Sequence, residues 1–176
     1  VQIEKIERGN YMNILLFSEA AWDDTNSFGN TVSNFFCGNT WNNDCFSNFY
    51  ARKQMPNNKL IVNYYQLSAM DIVKGLTKLK VRGKKFTTHN YQNLENSMNL
   101  AHKEEQKKID KLHQNKNEFI YWGHELIWRS RIWLNKYFKE FIAENKPDIL
   151  FAFATSPFIL WPLISYLKSN TECKVV

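Results

Sequence analysis

The sequence predicts an α/β domain with a doubly wound, mostly parallel sheet. Short apolar runs alternate along the chain with segments of helical period. One run, Ile149–Ala154, is apolar without interruption, as expected of a central parallel strand buried on both faces. Neither internal repeats nor a linker interrupts the pattern, so a single domain is expected over residues 12–176. Residues 1–11 precede the first strand and are set apart as an N-terminal extension or tag remnant.

The first strand is Met12–Ser18. A long polar loop follows it, and then a helix over Phe28–Cys37 with Phe28, Val32, Phe35 and Phe36 on one side. Phe46–Arg52 reads as a second strand, Met55–Lys59 as a turn by its Pro-Asn-Asn content, and Leu60–Gln66 as a third strand. Ser68 opens a helix, because Ser68-x-x-Asp71 has capping-box spacing. Gly83–Asn99 lacks a period and reads as loop, whereas Leu100–His113 reads as an exposed helix with little to bury. Trp122–Asn145 is expected to be one long helix, since Leu126, Ile127, Leu134, Tyr137, Phe138, Phe141 and Ile142 recur at helical spacing. Pro147 stops it. Ser156-Pro157 begins another helix, serine as cap and proline at its first position. Cys173–Val176 looks like the start of a strand.

Composition narrows the function classes. At 44% hydrophobic and 15% aromatic the chain is globular, and no apolar run has the length of a membrane span. Cys37, Cys45 and Cys173 lack metal-ligand spacing and read as reduced thiols, which points to a cytoplasmic address. Residues 52–116 hold fourteen basic and five acidic side chains, a net of +9, which leaves −3 for the rest. Such a basic middle suits an anionic partner, a membrane surface, or simple solvation.

Sheets of this class bind ligands beyond the carboxyl ends of their strands. Two segments are expected there, the loop "SEAAWDDTNSFGNT" and Ala154-Thr155-Ser156. Gly29 at a helix start would let a ligand reach the backbone, or would serve turn geometry alone. In the first case, Gly29→Val is expected to remove activity while leaving stability nearly intact. Asn30 and Thr31 add hydrogen-bonding groups, and Trp22 and Phe28 would either flank a ring or anchor the loop. Asp23 and Asp24 diverge as neighbours and favour a solvated or capping role. Thr155 and Ser156 could hold a phosphate or sugar hydroxyl, with Ser156 as a plain cap the alternative. Neither a GxGxxG fingerprint nor a P-loop is present. The four histidines are scattered, and Trp128 stands where HExxH needs its second histidine, so no metal site is expected.

Three segments resemble the N-terminal half of bacterial glycosyltransferases of the two-domain GT-B architecture, as found in capsule and surface-polysaccharide synthesis. They are "MNILLFSEAAWDDTNSFGNTVSNFF", "MPNNKLIVNYYQLSAMDIVKGL" and "ELIWRSRIWLNKYFKEFIAENKPDILFAFATSPFILWPLI". The resemblance implies a three-layer Rossmann-like domain that binds the acceptor, a saccharide free or lipid-linked. A second domain would hold the nucleotide-sugar donor, so this half alone would be inactive. It assigns Ser27, Phe28, Gly29, Asn30, Thr31, Thr155 and Ser156 to substrate binding and leaves the catalytic residues unassigned. No cofactor is implied, since the nucleotide-sugar is a substrate. Relatives often carry two glycines in the first loop and a histidine after the fourth strand, where this chain has Gly29 and Ala154-Thr155-Ser156.

Lipid-linked acceptors would bring the protein to the inner face of the plasma membrane. The segment "KGLTKLKVRGKK" then becomes the expected dock, through Lys78, Lys80, Lys84 and Lys85. The competing reading is a non-enzymatic module whose basic middle binds anionic partners or nucleic acid. Interleaved basic and aromatic residues on a nucleic-acid motif are absent from the sequence, which argues against nucleic acid.

Overall fold

The computed structural model describes residues 12–25, 27–36, 46–58, 60–61, 63–78, 80–87, 100, 103–104, 107, 118–153 and 156–176, with backbone alone for 27, 28 and 118–121. Among them run strands β1 (Ile14–Ser18), β2 (Phe46–Tyr50), β3 (Asn63–Gln66), β4 (Lys84–Thr87), β5 (Ile149–Ala152) and β6 (Lys174–Val175). The helices are α1 (Ser27–Phe36), α2 (Ala69–Thr77), α3 (Glu118–Arg129), α4 (Lys136–Asn145) and α5 (Pro157–Asn170). The strands form one open sheet in the order β4-β3-β2-β1-β5-β6, parallel except for the β3–β4 pair. This is an α/β fold compatible with a Rossmann-like topology.

β1 sits at the centre, with Ile14 in register with Phe46 on one side and Ile149 on the other. Its five residues are all buried, and alternate side chains enter two separate cores. Leu15 and Phe17 join Phe49, Tyr65, Trp128, Trp133, Phe138 and Leu163 beneath α2, α3, α4 and α5. Ile14 and Leu16 join Phe46, Tyr64, Trp22 and the α1 residues Val32 and Phe36 on the opposite face. Phe49 is the hub of the first core, with ring centroids 5.0 Å from Phe17 and 5.5 Å from Trp133.

The capping box at Ser68 forms as the spacing predicts. Ser68 Oγ accepts from the Asp71 amide while the Asp71 carboxylate accepts from the Ser68 amide. Five expectations need correction. The long helix expected over Trp122–Asn145 is two helices, broken at residues 130–135, with Arg131 at φ 58°. Asn135 starts the second one by accepting from the Tyr137 and Phe138 amides, and Trp133 turns inward to donate from Nε1 to the Trp128 carbonyl. Leu126, assigned to that helix's apolar stripe, is exposed.

The loop expected over Gly83–Asn99 contains β4, an antiparallel edge strand; Phe86 is buried, and residues 88–99 lie outside the described set. β5 is only half-buried except at Leu150, because on the α1 face Phe35 and Phe36 are what reach Phe151. Ser156 precedes α5 but makes no side-chain cap. Of the expected helix over Leu100–His113, Leu100, Lys103, Glu104 and Lys107 are helical and the rest lie outside the described residues.

Candidate functional site

The strand order reverses beside β1. From β1 the chain steps to β2 and β3 on one side, while β5 and β6 fill the other. Open α/β sheets have their ligand crevice at such a reversal, beyond the carboxyl ends of the strands. Glu19, Arg52 and the Ser156 amide gather at this end of the sheet.

Glu19, the first residue after β1, crosses the crevice. Its Oε1 accepts from the Ser156 amide at 2.9 Å, and its Oε2 lies 3.5 Å from Arg52 Nη2 beyond the end of β2. A carboxylate thus caps α5 where the Ser156 hydroxyl was expected to do so, and the helix dipole favours the negative charge. The backbone holds this arrangement in place, since the Ala51 amide donates to the Glu19 carbonyl at 3.1 Å.

His124 on α3 lies within the electrostatic reach of both groups. Although the residue is exposed by area, loss of water around its ring lowers its pKa from the ordinary 6.5. Glu19 and Glu125 pull it back up, and Arg52 adds to the lowering. Trp128 donates from Nε1 to His124 Nε2 at 3.2 Å. Indole is a donor only, so the neutral imidazole carries its proton on Nδ1. A chain of contacts, Trp133 to Trp128 to His124, thereby ties the ring's orientation to the core. The crevice offers a carboxylate and a guanidinium, with a neutral imidazole of fixed tautomer within electrostatic reach of both.

Farther along the rim a second polar group surrounds α2's start. Lys53 Nζ lies 3.2 Å from Asp71 Oδ1, both side chains largely shielded at 12% and 18% exposure. Asp71 Oδ2 also accepts from Ser68 Oγ at 2.8 Å and Gln66 Nε2 at 3.4 Å.

The loop after β1 is long for reasons of its own packing. Trp22 is buried and donates from Nε1 to the Gly29 carbonyl at 3.0 Å and to Ser33 Oγ at 2.9 Å. Asp24 Oδ1 accepts from Ser33 Oγ and from Asn58 Nδ2, which pins the loop to the segment before β3. Asp23 Oδ1 accepts from the Thr25 amide and hydroxyl. Gly29 is buried against the loop, and a Cβ there would stand 1.9 Å from the Asp23 carbonyl oxygen. That corrects the expectation of a nearly stability-neutral Gly29→Val, because the fold itself needs the bare backbone.

Of the residues expected to bind substrate, Ser27, Phe28, Gly29, Asn30 and Thr31 form the first turns of α1, with Asn30 and Thr31 exposed. Ser156 stands in the crevice through its amide. Thr155 lies outside the described residues. Lys78, Lys80, Lys84 and Lys85 are all exposed, and Lys85 pairs with Glu144. Sequence reasoning missed Glu19, Arg52 and His124. A glutamate directly after an apolar strand was a readable signal, whereas His124 gave none, since Glu19 and Arg52, which act on it, come from distant segments.

Among the described residues no group of three or more His, Cys, Asp and Glu is placed to hold a metal ion, and no helix is long and apolar enough to cross a membrane. Comparisons with models of protein families, with curated proteins and with solved structures match nothing to this chain.

Proposed function

We propose that this domain is the acceptor-binding half of a glycosyltransferase, a three-layer, doubly wound Rossmann-like unit. It would work with a domain that holds a nucleotide-sugar donor, passing the sugar to a saccharide acceptor, free or lipid-linked. The observation that carries the reading is the bridge from Glu19 to Ser156 at the strand-order reversal, with Arg52 and His124 beside it. Open α/β sheets take their ligands at that point. The chemistry there suits hydroxyl groups: Glu19 and His124 offer acceptor and donor atoms, and Arg52 offers five N–H groups. Glu19 is the better placed of the two to take a proton from an attacking hydroxyl, because Trp128 occupies His124 Nε2. Ser27–Thr31 would form a wall of the same cleft, and exposed Lys78, Lys80 and Lys84 would hold the protein at an anionic membrane.

The test is an NMR titration of the isotope-labelled chain with a panel of oligosaccharides, nucleotide-sugars and a single-stranded oligonucleotide. Oligosaccharides are expected to shift Glu19, Arg52, His124 and Ser156 together, and nucleotide-sugars to be bound weakly without turnover. Silence at these four residues against every saccharide defeats the proposal. Shifts confined to Lys78–Lys85 on adding the oligonucleotide would instead favour a module for anionic partners.

A further inference from the structure

A groove of about 470 Å³ lies between the end of α2 and the start of α4. It is open to solvent rather than enclosed. Leu76, Val81, Ile132 and Tyr137 give it an apolar lining, and Lys80 and Lys136 border it. Leu76 and Ile132 each leave 42% of their surface in water, so much of this lining faces solvent.

The charged residues that border it, Lys80 and Lys136, are both basic, and so is Arg82 against the Tyr137 ring. The Arg82 guanidinium stands 4.9 Å from the Tyr137 ring centroid, and Lys136 Nζ stands 5.5 Å from the same centroid. Two cations thus share one ring, and none of the ion pairs among the described residues engages Arg82, Lys80 or Lys136. Two cations held against one ring together attract an anion more strongly than either would alone. The groove beside it would shelter an apolar body attached to that anion.

We propose that this groove binds an amphipathic anion, a carboxylate or phosphate carried on an alkyl or aryl body. The anionic group sits between Arg82 and Lys136 at the edge of Tyr137, and the apolar body lies along Leu76, Val81 and Ile132. The site shares no residue with the crevice at β1 and β5, so it stands or falls apart from the acceptor reading. A soluble fatty carboxylate and a lipid phosphate present the same chemistry, and both are probed below.

The wild-type chain is titrated with decanoate, decyl phosphate, decanol and inorganic phosphate, following the Tyr137 ring signals by NMR. Decanoate and decyl phosphate are expected to bind saturably, about tenfold or more tighter than decanol, the factor that one charge-assisted contact supplies. A preference for decyl phosphate would identify a lipid phosphate as the natural source, and a preference for decanoate a carboxylate. Inorganic phosphate alone is expected to give no saturable shift. Arg82→Gln with Lys136→Gln, both at exposed positions, is expected to bring decanoate down to the affinity of decanol. Decanol binding as tightly as decanoate would overturn the proposal, as would inorganic phosphate binding as tightly as decyl phosphate. Because the comparison of probes is made on the wild-type chain, it decides the matter even if the double variant folds poorly.

Discussion

Glu19 and Ser156 lie 137 residues apart in sequence and meet through a 2.9 Å bond from the Ser156 amide to the Glu19 carboxylate. The contact joins the exit of the central strand to the entrance of the last helix, and Arg52 and His124 respond to the same carboxylate.

His124 should report on that carboxylate directly. Glu19 raises the histidine's pKa and Arg52 lowers it. Glu19→Gln is therefore expected to move the pKa further below 6.5, and Arg52→Gln to move it up, both measured by the pH dependence of the ring proton signals. Unchanged values in both variants would place His124 outside the crevice. The unfolded chain binds the histidine proton more readily than the native one, so His124 leaves stability intact above pH 6.5 and weakens it as pH falls through the native value.

Gly29→Ala is expected to lower the melting temperature. The added carbon would overlap the Asp23 carbonyl, which is backbone and cannot swing aside. Overpacking of this kind costs about 1–3 kcal/mol, or roughly 2–12 °C for a chain of this size. Trp22→Phe should weaken the same unit by about 1–2 kcal/mol through the bonds to Gly29 and Ser33, without any clash. Thermal melts of the two variants check both, and an unaltered Gly29→Ala melt would mean that α1 is free to move off the loop.

Stability should also fall in alkali. Burial pushes Cys173 from 9.0 up to about 11, and it pushes Tyr65 from 10.0 up to about 12 against the opposing bond from the Gly83 amide. Both groups hold their protons more tightly in the native state. Their contribution is complete below pH 9 and is lost as pH rises through these native values. For Tyr65 the loss amounts to roughly 2–3 kcal/mol near pH 12. Urea melts from pH 8 to 11 should show the decline, shallower in Tyr65→Phe.

The basic edge makes its own prediction. Co-sedimentation with anionic vesicles is expected, lost at high salt and in a chain with Lys78, Lys80, Lys84 and Lys85 all replaced by glutamine. Each lysine near such a surface supplies about 1 kcal/mol, so partial engagement gives reversible docking. Equal sedimentation with neutral vesicles would remove the electrostatic basis.

Local signals were readable from sequence and distant ones were not. The Ser68–Asp71 box needs only neighbours four positions long, and it forms with both bonds present. The β1 run was legible because every residue in it is apolar or small. The break between α3 and α4 escaped because periodicity counts apolar spacing, while the break is made by the Asn135 side chain and the Trp133 indole. β4 escaped because an edge strand that buries Phe86 alone carries little alternation. In the loop after β1, Gly29 was legible as a demand for bare backbone, but the claimant proved to be the Asp23 carbonyl. Glu19 and His124 acquire meaning only from partners that the fold delivers.

The outermost strand carries one more consequence. An open sheet ends in unpaired backbone groups that invite a second sheet to add itself. Here one boundary is β4, where Lys84 and Lys85 are exposed, and the other is β6, two residues long. Charge guards the first boundary. Two copies adding edge to edge at β4 would have to bring these lysines together, which opposes such pairing.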